Sequence, residues 1–342
     1  MSEAVRAAFT IQADWCRRLG GPFTARLCDR LAVVLDRSTA TGAAVLSWQG
    51  DPVADALALR VAGGLNFLVR NGALSELATH YPPHDAGDDA ALDAELHAAL
   101  AQDALLPWLV SAPQTNEVAR SGILMPGLST IAAATGLPLA LFELGASAGL
   151  NLRLDAYAYD LGGVRLTPPD APIMLAPAWE GPPPPVADVR IVARRGVDLN
   201  PIDVRDAGAR ARLLAYVWPE QTARVSRLAA ALDAAAQDPA PVDRADAAGW
   251  VEQHVAPVAG RATVVMHSIA FQYFPADTKA RIAAHLAAQG ARATPDAPLA
   301  WLRFEFEDAA RPPTLRLTLW PGGEDRLLAH AHPHGASVQW LG

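Results

Sequence analysis

The sequence has little of what marks several large classes of protein. Its only cysteines are Cys16 and Cys28, and no C-x-x-C pair occurs, so no disulfide framework is expected and a reducing, cytoplasmic compartment is predicted. The formal net charge is −8, and no run interleaves basic with aromatic residues, so we expect no nucleic-acid partner. No stretch approaches about 18 apolar residues without a charge or a proline, and the first residues lack the pattern of a signal peptide. We therefore expect neither a membrane span nor export.

The composition is that of a globular protein with a large core. Of 342 residues, 51% are hydrophobic and 19% charged, which suits one large domain or two modest ones. Up to about residue 135 the apolar residues recur at helical spacing, as in Phe23, Leu27 and Leu31. A Gly-Gly-Pro run at 20–22 separates the first two helices. We predict an all-helical cap domain over residues 1–135.

From residue 136 onward, short apolar runs of the kind found in buried parallel strands alternate with helical patterns. This alternation predicts an α/β domain over residues 136–342, interrupted by a proline-rich insertion near 157–186 that contains a Gly-Gly hairpin. A turn at 320–323, flanked by alternating apolar residues, predicts a closing antiparallel hairpin. The predicted strands cover 137–142, 189–193, 263–267 and 299–306, and the predicted helices cover 150–154, 206–236 with a break at Pro219, and 277–289.

The segment from Glu143 to Gly149 (Glu-Leu-Gly-Ala-Ser-Ala-Gly) places an acid and two glycines where a buried strand turns into a predicted helix. Glycine lets a ligand touch the backbone, a helix start offers free N–H groups, and a crevice opens beyond the carboxyl ends of parallel strands. A dinucleotide-binding fingerprint would need a glycine where Ser147 stands, so NAD and FAD are less favoured as cofactors. We predict a small nucleotide-like cofactor at this turn.

This turn resembles the first motif of class I methyltransferases, although Ser147 departs from its commonest form. Segment 195–201 is similar to the second motif, whose strand-end acid bonds the ribose, and segment 242–247 is similar to the adenine-contacting turn. The resemblance implies a Rossmann-like sheet, S-adenosylmethionine as cofactor and S-adenosylhomocysteine as product. It implies cofactor contacts by Glu143, Gly145, Ser147, Gly149 and Asn151, with Asp198 at the ribose and Asp246 near the adenine.

The chain also resembles a bacterial family of unassigned function through segments 113–121, 143–151 and 332–335. That resemblance implies a methyltransferase-like protein without naming a reaction. The polar residues Gln114, Asn116 and Glu117 either form a wall of the substrate pocket or belong to a capped helix start, with Thr115 or Asn116 as N-cap. His334 either bonds backbone within a turn or reaches the active crevice, where it would contact substrate.

Catalytic roles are predicted for His267, at the end of the strand that usually faces the acceptor, and for Tyr273. A neutral imidazole there could accept a proton from an acceptor hydroxyl or amine, but strand-end histidines also often satisfy backbone groups. No metal site is predicted, because Pro333 breaks the strand on which His332 and His334 would share a face. The leading hypothesis is a methyltransferase acting on a small-molecule acceptor, over which the helical cap closes; the oligomeric state stays open.

Two other classes of function remain open. Residues 145–149 also match Gly-x-Ser-x-Gly, the nucleophile elbow of α/β-hydrolases, and an acid such as Asp198 and a later His267 or His334 follow Ser147 in triad order. Against this serine hydrolase stand the missing His-Gly-Gly oxyanion segment and the helical residues before the elbow. The third candidate is a nucleotide-binding protein that catalyses no transfer.

Overall fold

The computed structural model describes residues 2–84, 87–308 and 311–342, and the chain forms two compact units. The helical unit comprises Met1–Thr115 and Asp206–Ala229, and the sheet unit comprises Asn116–Arg205 and Ala230–Gly342. The predicted division at residue 135 does not coincide with the boundaries between these units. Residues 116–135 lie in the sheet unit, and a segment after residue 205 returns to the helical unit.

Helices account for all the regular structure described before residue 139, as predicted. No described helix combines the length and the apolar character that crossing a bilayer requires. In chain order the α-helices are α1 (Ser2–Arg18), α2 (Pro22–Val34), α3 (Ala40–Leu46), α4 (Leu57–Arg70), α5 (Ser75–Ala78), α6 (Asp89–Leu100), α7 (Leu106–Val110), α8 (Ser121–Thr135), α9 (Ala207–Ala215), α10 (Thr222–Gln237), α11 (Ala247–His254) and α12 (Ala276–Gly290).

The core of the helical unit is built from the apolar stripes that the 3.6-residue period predicts. Phe9 of α1, Leu27 and Leu31 of α2 and Leu65 of α4 are buried in one cluster. Asn66 of α4 explains how residues after 205 join this unit. Its Nδ2 donates to the carbonyl oxygens of residues 215 and 217 at 2.9 and 3.0 Å, so the end of α9 is fixed to α4.

Helix α8 belongs to the sheet unit because it is apolar on all sides. All of its residues from Ser121 to Ala132 are buried, and it packs against three strands of the large sheet. A helix without a polar face needs cover on every side, and β2 of the smaller sheet and the neighbouring 3₁₀ segments contact α8 in addition to the large sheet. The strands are β1 (Leu139–Leu144), β2 (Ala158–Leu161), β3 (Val164–Leu166), β4 (Met174–Leu175), β5 (Ala178–Glu180), β6 (Ile191–Asp198), β7 (Val242–Arg244), β8 (Ala262–Ser268), β9 (Leu299–Glu305), β10 (Thr314–Trp320), β11 (Glu324–Ala331) and β12 (Ser337–Trp340).

The large sheet has nine described strands in the order β5-β12-β11-β10-β9-β8-β1-β6-β7. The five from β9 to β7 run parallel, in register by the pairs β9·β8, β8·β1, β1·β6 and β6·β7. The chain leaves β1 toward β6 and β7 on one side, then returns to β8 and β9 on the other. Strand order therefore reverses between β1 and β8, and a crevice outside the carboxyl ends of strands is expected at such a reversal.

Antiparallel pairing continues the sheet from β9 to β12, the β5·β12 pair at its edge is parallel, and the predicted hairpin is confirmed. Strand β10 pairs with β9 and β11, and β11 pairs with β12. The insertion forms the predicted hairpin of β2 and β3 across Gly162 and Gly163, completed by β4 in a three-stranded sheet. Strand β5, also from the insertion, extends the edge of the large sheet by pairing with β12.

One predicted helix, over residues 150–154, is a 3₁₀ segment and not an α-helix. After the turn that follows β1, the chain forms only a 3₁₀ segment, Asn151–Ala156, with non-helical dihedral angles at Arg153. The leucine spacing was compatible with an α-helix, but the leucines at 150, 152 and 154 are all buried. Alternate residues point to different sides of the segment, so burying all three leucines requires packing on more than one side. A short 3₁₀ segment allows this, whereas an amphipathic α-helix leaves one side exposed.

Candidate functional site

The candidate site lies at the carboxyl ends of the parallel strands, next to the reversal of strand order. Glu143 lies near the end of β1, Asp198 ends β6, and His267 lies near the end of β8. Glu143 is in register with Gly196 on one side and with Met266 on the other. The sequence thus brings the predicted acids to neighbouring strand ends because the buried apolar runs before them stack in parallel register.

The turn after β1 has the left-handed backbone that its glycines predict. Gly145 and Gly149 have φ of 67° and 69°, and Ser147, which is not glycine, has φ of 53°. A Cβ on Gly145 would lie 2.6 Å from the Cβ of Ala270, and one on Gly149 would lie 3.0 Å from Val242. Both glycines therefore serve close packing as well as backbone freedom.

The backbone N–H groups of this turn are all paired inside the chain. The sequence predicts free N–H groups at the start of a helix. No α-helix begins here, and the N–H groups of the turn donate to other acceptors in the chain. Two of these acceptors are side chains, Asn116 Oδ1 and Asp198 Oδ2. The N–H groups of Gly145 and Ala146 donate to Val197 O, that of Ser147 to Asp198 Oδ2 at 2.9 Å, those of Ala148 and Leu150 to Asn116 Oδ1 at 3.2 and 3.1 Å, and that of Gly149 to Ala146 O.

Glu143 is the most perturbed acid of the site. Its side chain is buried, it hydrogen-bonds Asn151, and its Oε2 has no partner. Asn151 Oδ1 in turn accepts a bond from Ser121 Oγ at 2.8 Å. Burial raises the pKa of Glu143 to about 8, with the charge of Asp198 adding to the effect and the bond from Asn151 opposing it. At neutral pH this carboxyl is therefore mostly protonated.

Ser147 and Asp198 join the turn to the end of β6. Ser147 is 3% exposed, its Oγ has no partner, and its carbonyl accepts the N–H of Ile202. The other oxygen of Asp198, Oδ1, accepts the N–H of Asn200 at 2.8 Å. Asp246, further along, is the N-cap of α11 and accepts the N–H of Gly249 at 3.0 Å. Each of the two acids thus has a structural bond in addition to any contact with a ligand.

His267 lies fully buried between two partners. Trp301 Nε1 donates to its Nε2 at 3.0 Å, so its Nδ1 carries the proton and donates to Glu305 Oε1 at 2.7 Å. The ring also stacks on Phe271, with centroids 4.5 Å apart. The acceptor nitrogen, Nε2, is therefore available to a substrate only if the bond from Trp301 breaks. Tyr273, by contrast, is 76% exposed.

Segment 116–121 forms hydrogen bonds with the turn and with the end of β8. Asn116 is not a helix cap, and neither is Thr115; the cap of the short 3₁₀ helix Val118–Arg120 is Glu117, which accepts the N–H of Ala119. Arg120 donates to Ser268 O at the end of β8, at 2.9 Å, and to Pro333 O, at 3.0 Å. Gln114 falls in the helical unit.

The turn at 332–335 packs directly on this segment. Gly335 has φ of 72°, and a Cβ there would lie 2.5 Å from Ala119 O. The N–H of His334 donates to His332 Nδ1 at 3.1 Å. The three segments on which the family resemblance was based, 113–121, 143–151 and 332–335, therefore meet through Asn116 and Arg120, although they are far apart in sequence.

Sequence reasoning missed Glu305, Arg120 and Ser121 as parts of this arrangement. Glu305 stood near the end of a predicted strand, and a strand-end acid on a strand next to His267 was the available signal. Among the described residues, no group of three or more His, Cys, Asp or Glu side chains could hold a metal ion.

Comparison with known proteins gives one result. The model of a family described as an uncharacterised protein conserved in bacteria (DUF2332) matches residues 6–340. No curated protein and no solved structure matches the chain. The match confirms the resemblance to a bacterial family of unassigned function and leaves the reaction to be inferred from the site.

Proposed function

Since the chain belongs to the DUF2332 family, whose description names no reaction, we propose its function from the strand-end site: it binds S-adenosylmethionine beside the turn 143–149 and transfers the methyl group to a small-molecule acceptor. S-adenosylhomocysteine would be the product. The observation that carries the proposal is the position of Glu143 and Asp198 at the carboxyl ends of the adjacent parallel strands β1 and β6, with the glycine turn following β1, beside the reversal of strand order.

The strand order supports a Rossmann-type site. Numbered in chain order, the five parallel strands β1, β6, β7, β8 and β9 are arranged 3-2-1-4-5, which is the order of the first five strands of the dinucleotide-binding folds. In that arrangement the ligand lies outside the carboxyl ends of strands 1 and 4, here β1 and β8. The methyltransferase type is our inference from this order and from the motifs.

The hydrogen bonding of the turn favours a ligand without phosphate groups at this position. A pyrophosphate needs unpaired N–H groups at a helix start, whereas the N–H groups of residues 145–150 are all used internally. The unpartnered polar atoms here are Glu143 Oε2 and Ser147 Oγ. These atoms suit the amino-acid part of an adenosyl ligand, because its ammonium group could donate to Glu143 and displace the proton of that carboxyl.

In this proposal the chain's own residues mainly bind and orient. Asp198 would accept hydrogen bonds from the ribose hydroxyls, and Asp246 would lie near the adenine. Ser147, Asn151 and the two glycines would border the methionine part. S-adenosylmethionine supplies an electrophilic methyl group on sulfur, so the protein has to align the acceptor and exclude water. Tyr273, on the loop after β8, is the exposed candidate for a contact with the acceptor. His267 would orient that loop, and it could act as a base only if the bond from Trp301 Nε1 to its Nε2 broke.

The test is isothermal titration of the full chain with S-adenosylmethionine and S-adenosylhomocysteine. We expect binding by the wild type and its loss in Gly145→Val, because the added side chain would collide with Ala270 and obstruct the turn. The matched control is Gly163→Val, a positive-φ glycine with nothing near its missing Cβ. Circular dichroism must show both variants folded. Absence of binding by the wild type would refute the proposal, and binding without methyl transfer to any acceptor would favour a non-catalytic binding protein.

The serine hydrolase keeps one observation in its favour. Ser147 has a positive φ in the turn that follows a buried parallel strand, three residues after the end of β1, and the nucleophile of an elbow also lies on a strained strand-to-helix turn. However, both ring nitrogens of His267 have partners other than Ser147. Covalent labelling of Ser147 by a fluorophosphonate, lost in Ser147→Ala, would establish the hydrolase; absence of labelling would remove it.

A further inference from the structure

The loop after β8, residues 269–274, covers the glycine turn. Where Gly145 lacks a side chain, the Cβ of Ala270 takes the space, 2.6 Å from where a Cβ on Gly145 would stand, and Phe274 lies 3.9 Å from the same point. A ligand cannot touch the backbone of Gly145 on the side where its Cβ would stand while Ala270 is there. Access to the turn therefore requires this loop, the β8 loop, to move.

Glu305 holds the β8 loop in this position. Its Oε1 accepts the N–H groups of Ala270 and Phe271 at 3.0 and 3.1 Å, and it also binds His267 Nδ1. Its Oε2 is buried without a partner, so the carboxylate's hydrogen bonds go to the loop and to the histidine under it. Burial disfavours the charge of Glu305, but the bonds from His267 and from the two N–H groups outweigh it, and its pKa lies below the ordinary value.

The closed loop has a strained residue at its start. Ile269 has φ of 48°, a left-handed conformation that is an outlier for a β-branched side chain. The strain must be offset by contacts further along the loop, and the bonds to Glu305 come directly after it. The stacking of Phe271 on His267 adds to these contacts. A loop held in a strained conformation by one carboxylate can be released by removing that carboxylate.

We infer that Glu305 is a positioning residue that holds the β8 loop closed over Gly145, so that the ligand reaches the turn only when the loop is displaced. The consequence for ligand entry rests on the proposed function, whereas the closure itself does not. Glu305 acts through the loop and through His267, which gives that histidine a role in orientation.

Hydrogen–deuterium exchange of the full-length protein tests the closure. Peptides that cover residues 269–274 should exchange at least about tenfold faster in Glu305→Ala, because two charge-assisted bonds to backbone N–H groups are lost. Glu305→Gln, which keeps an acceptor oxygen, should show a smaller increase. The matched control is Glu307→Gln, on the same segment, whose carboxylate binds Thr314 and Arg316 instead. It should leave exchange in the loop unchanged.

A further variant, Gly145→Ala, leaves Glu305 unchanged. Its added methyl group would collide with Ala270, so hydrogen–deuterium exchange in the β8 loop should also become faster. Unchanged exchange in Glu305→Ala, or acceleration spread evenly over the whole sheet unit, would overturn the inference.

The association rate constant of S-adenosylhomocysteine, measured by stopped flow, tests ligand entry. It should rise in Glu305→Ala relative to wild type; an unchanged rate constant beside faster loop exchange would show that the loop does not control entry. If the wild type binds no S-adenosylhomocysteine, the proposed function fails, while the exchange experiment still decides whether Glu305 holds the loop.

Discussion

The protonation state of Glu143 gives the sharpest prediction, because a buried neutral carboxyl makes stability depend on pH in an unusual direction. The folded protein holds this proton with a pKa of about 8, against an ordinary value of 4.5. Between those values the folded state binds the proton more tightly than the unfolded state does, so the free energy of unfolding falls as pH rises. The stabilisation is complete below about pH 4.5 and is lost as pH rises through about 8.

Replacing Glu143 by Gln removes this dependence, because glutamine resembles the protonated carboxyl in shape and cannot ionise. At about 1.4 kcal/mol per pH unit, the difference in the free energy of unfolding between Glu143→Gln and wild type should grow by about 3 kcal/mol from pH 5 to pH 8 in favour of the variant. Using the difference between the two proteins cancels the titration of all other groups.

The measurement is urea-induced unfolding at pH 5, 6, 7 and 8, followed by circular dichroism and tryptophan fluorescence. The matched control is Glu324→Gln, an exposed glutamate at the start of β11, whose difference from wild type should stay flat. A difference for Glu143→Gln that is constant to within about 0.5 kcal/mol across this range would mean that Glu143 is ionised in the folded protein. The argument from its burial would then be refuted.

Three further substitutions test other parts of the structure, each by thermal or urea denaturation. Ser147→Gly should stabilise the protein by about 1 kcal/mol, because it relieves a left-handed residue and removes a buried hydroxyl without a partner; lower stability would show that the hydroxyl has a partner. Asn116→Ala should cost about 3 kcal/mol, since two buried N–H groups in residues 148–150 lose their acceptor, and a loss below about 1 kcal/mol would contradict this role. Asn66→Ala should cost about 2 kcal/mol by releasing residues 215–217, and no loss would show that other contacts hold that segment.

The parallel strands could be predicted from sequence because their signal is local. The runs that became β1, β8 and β9 are short, apolar and bounded by glycine, proline or polar residues, and burial on both faces leaves little choice of residue. The hairpin of β10 and β11 was similarly predictable from alternation around a turn. The left-handed turn at 145–149 followed from its glycines.

The partners of the turn could not be predicted, because they come from distant parts of the chain. Asn116 accepts N–H groups more than 30 residues away, and nothing in the sequence around it distinguishes such a brace from a pocket wall or a helix cap. Glu305 and His267 meet only because β8 and β9 are parallel neighbours. The return of residues after 205 to the helical unit could not be predicted for the same reason, since it involves tertiary bonds such as those of Asn66.

The hydrogen bonds of the turn's N–H groups count against two of the functions considered and not against the third. A dinucleotide would need those groups for its pyrophosphate. A serine hydrolase would need the N–H of the residue after its nucleophile for the oxyanion, and in this structure that N–H, on Ala148, donates to Asn116. An adenosyl amino acid needs neither, because its charged groups can be met by side chains, and two unpartnered side-chain oxygens stand at this turn. The same bonds that rigidify the turn therefore weigh against both rivals, and a ligand that binds here must first displace Ala270 and then bring a donor to Glu143.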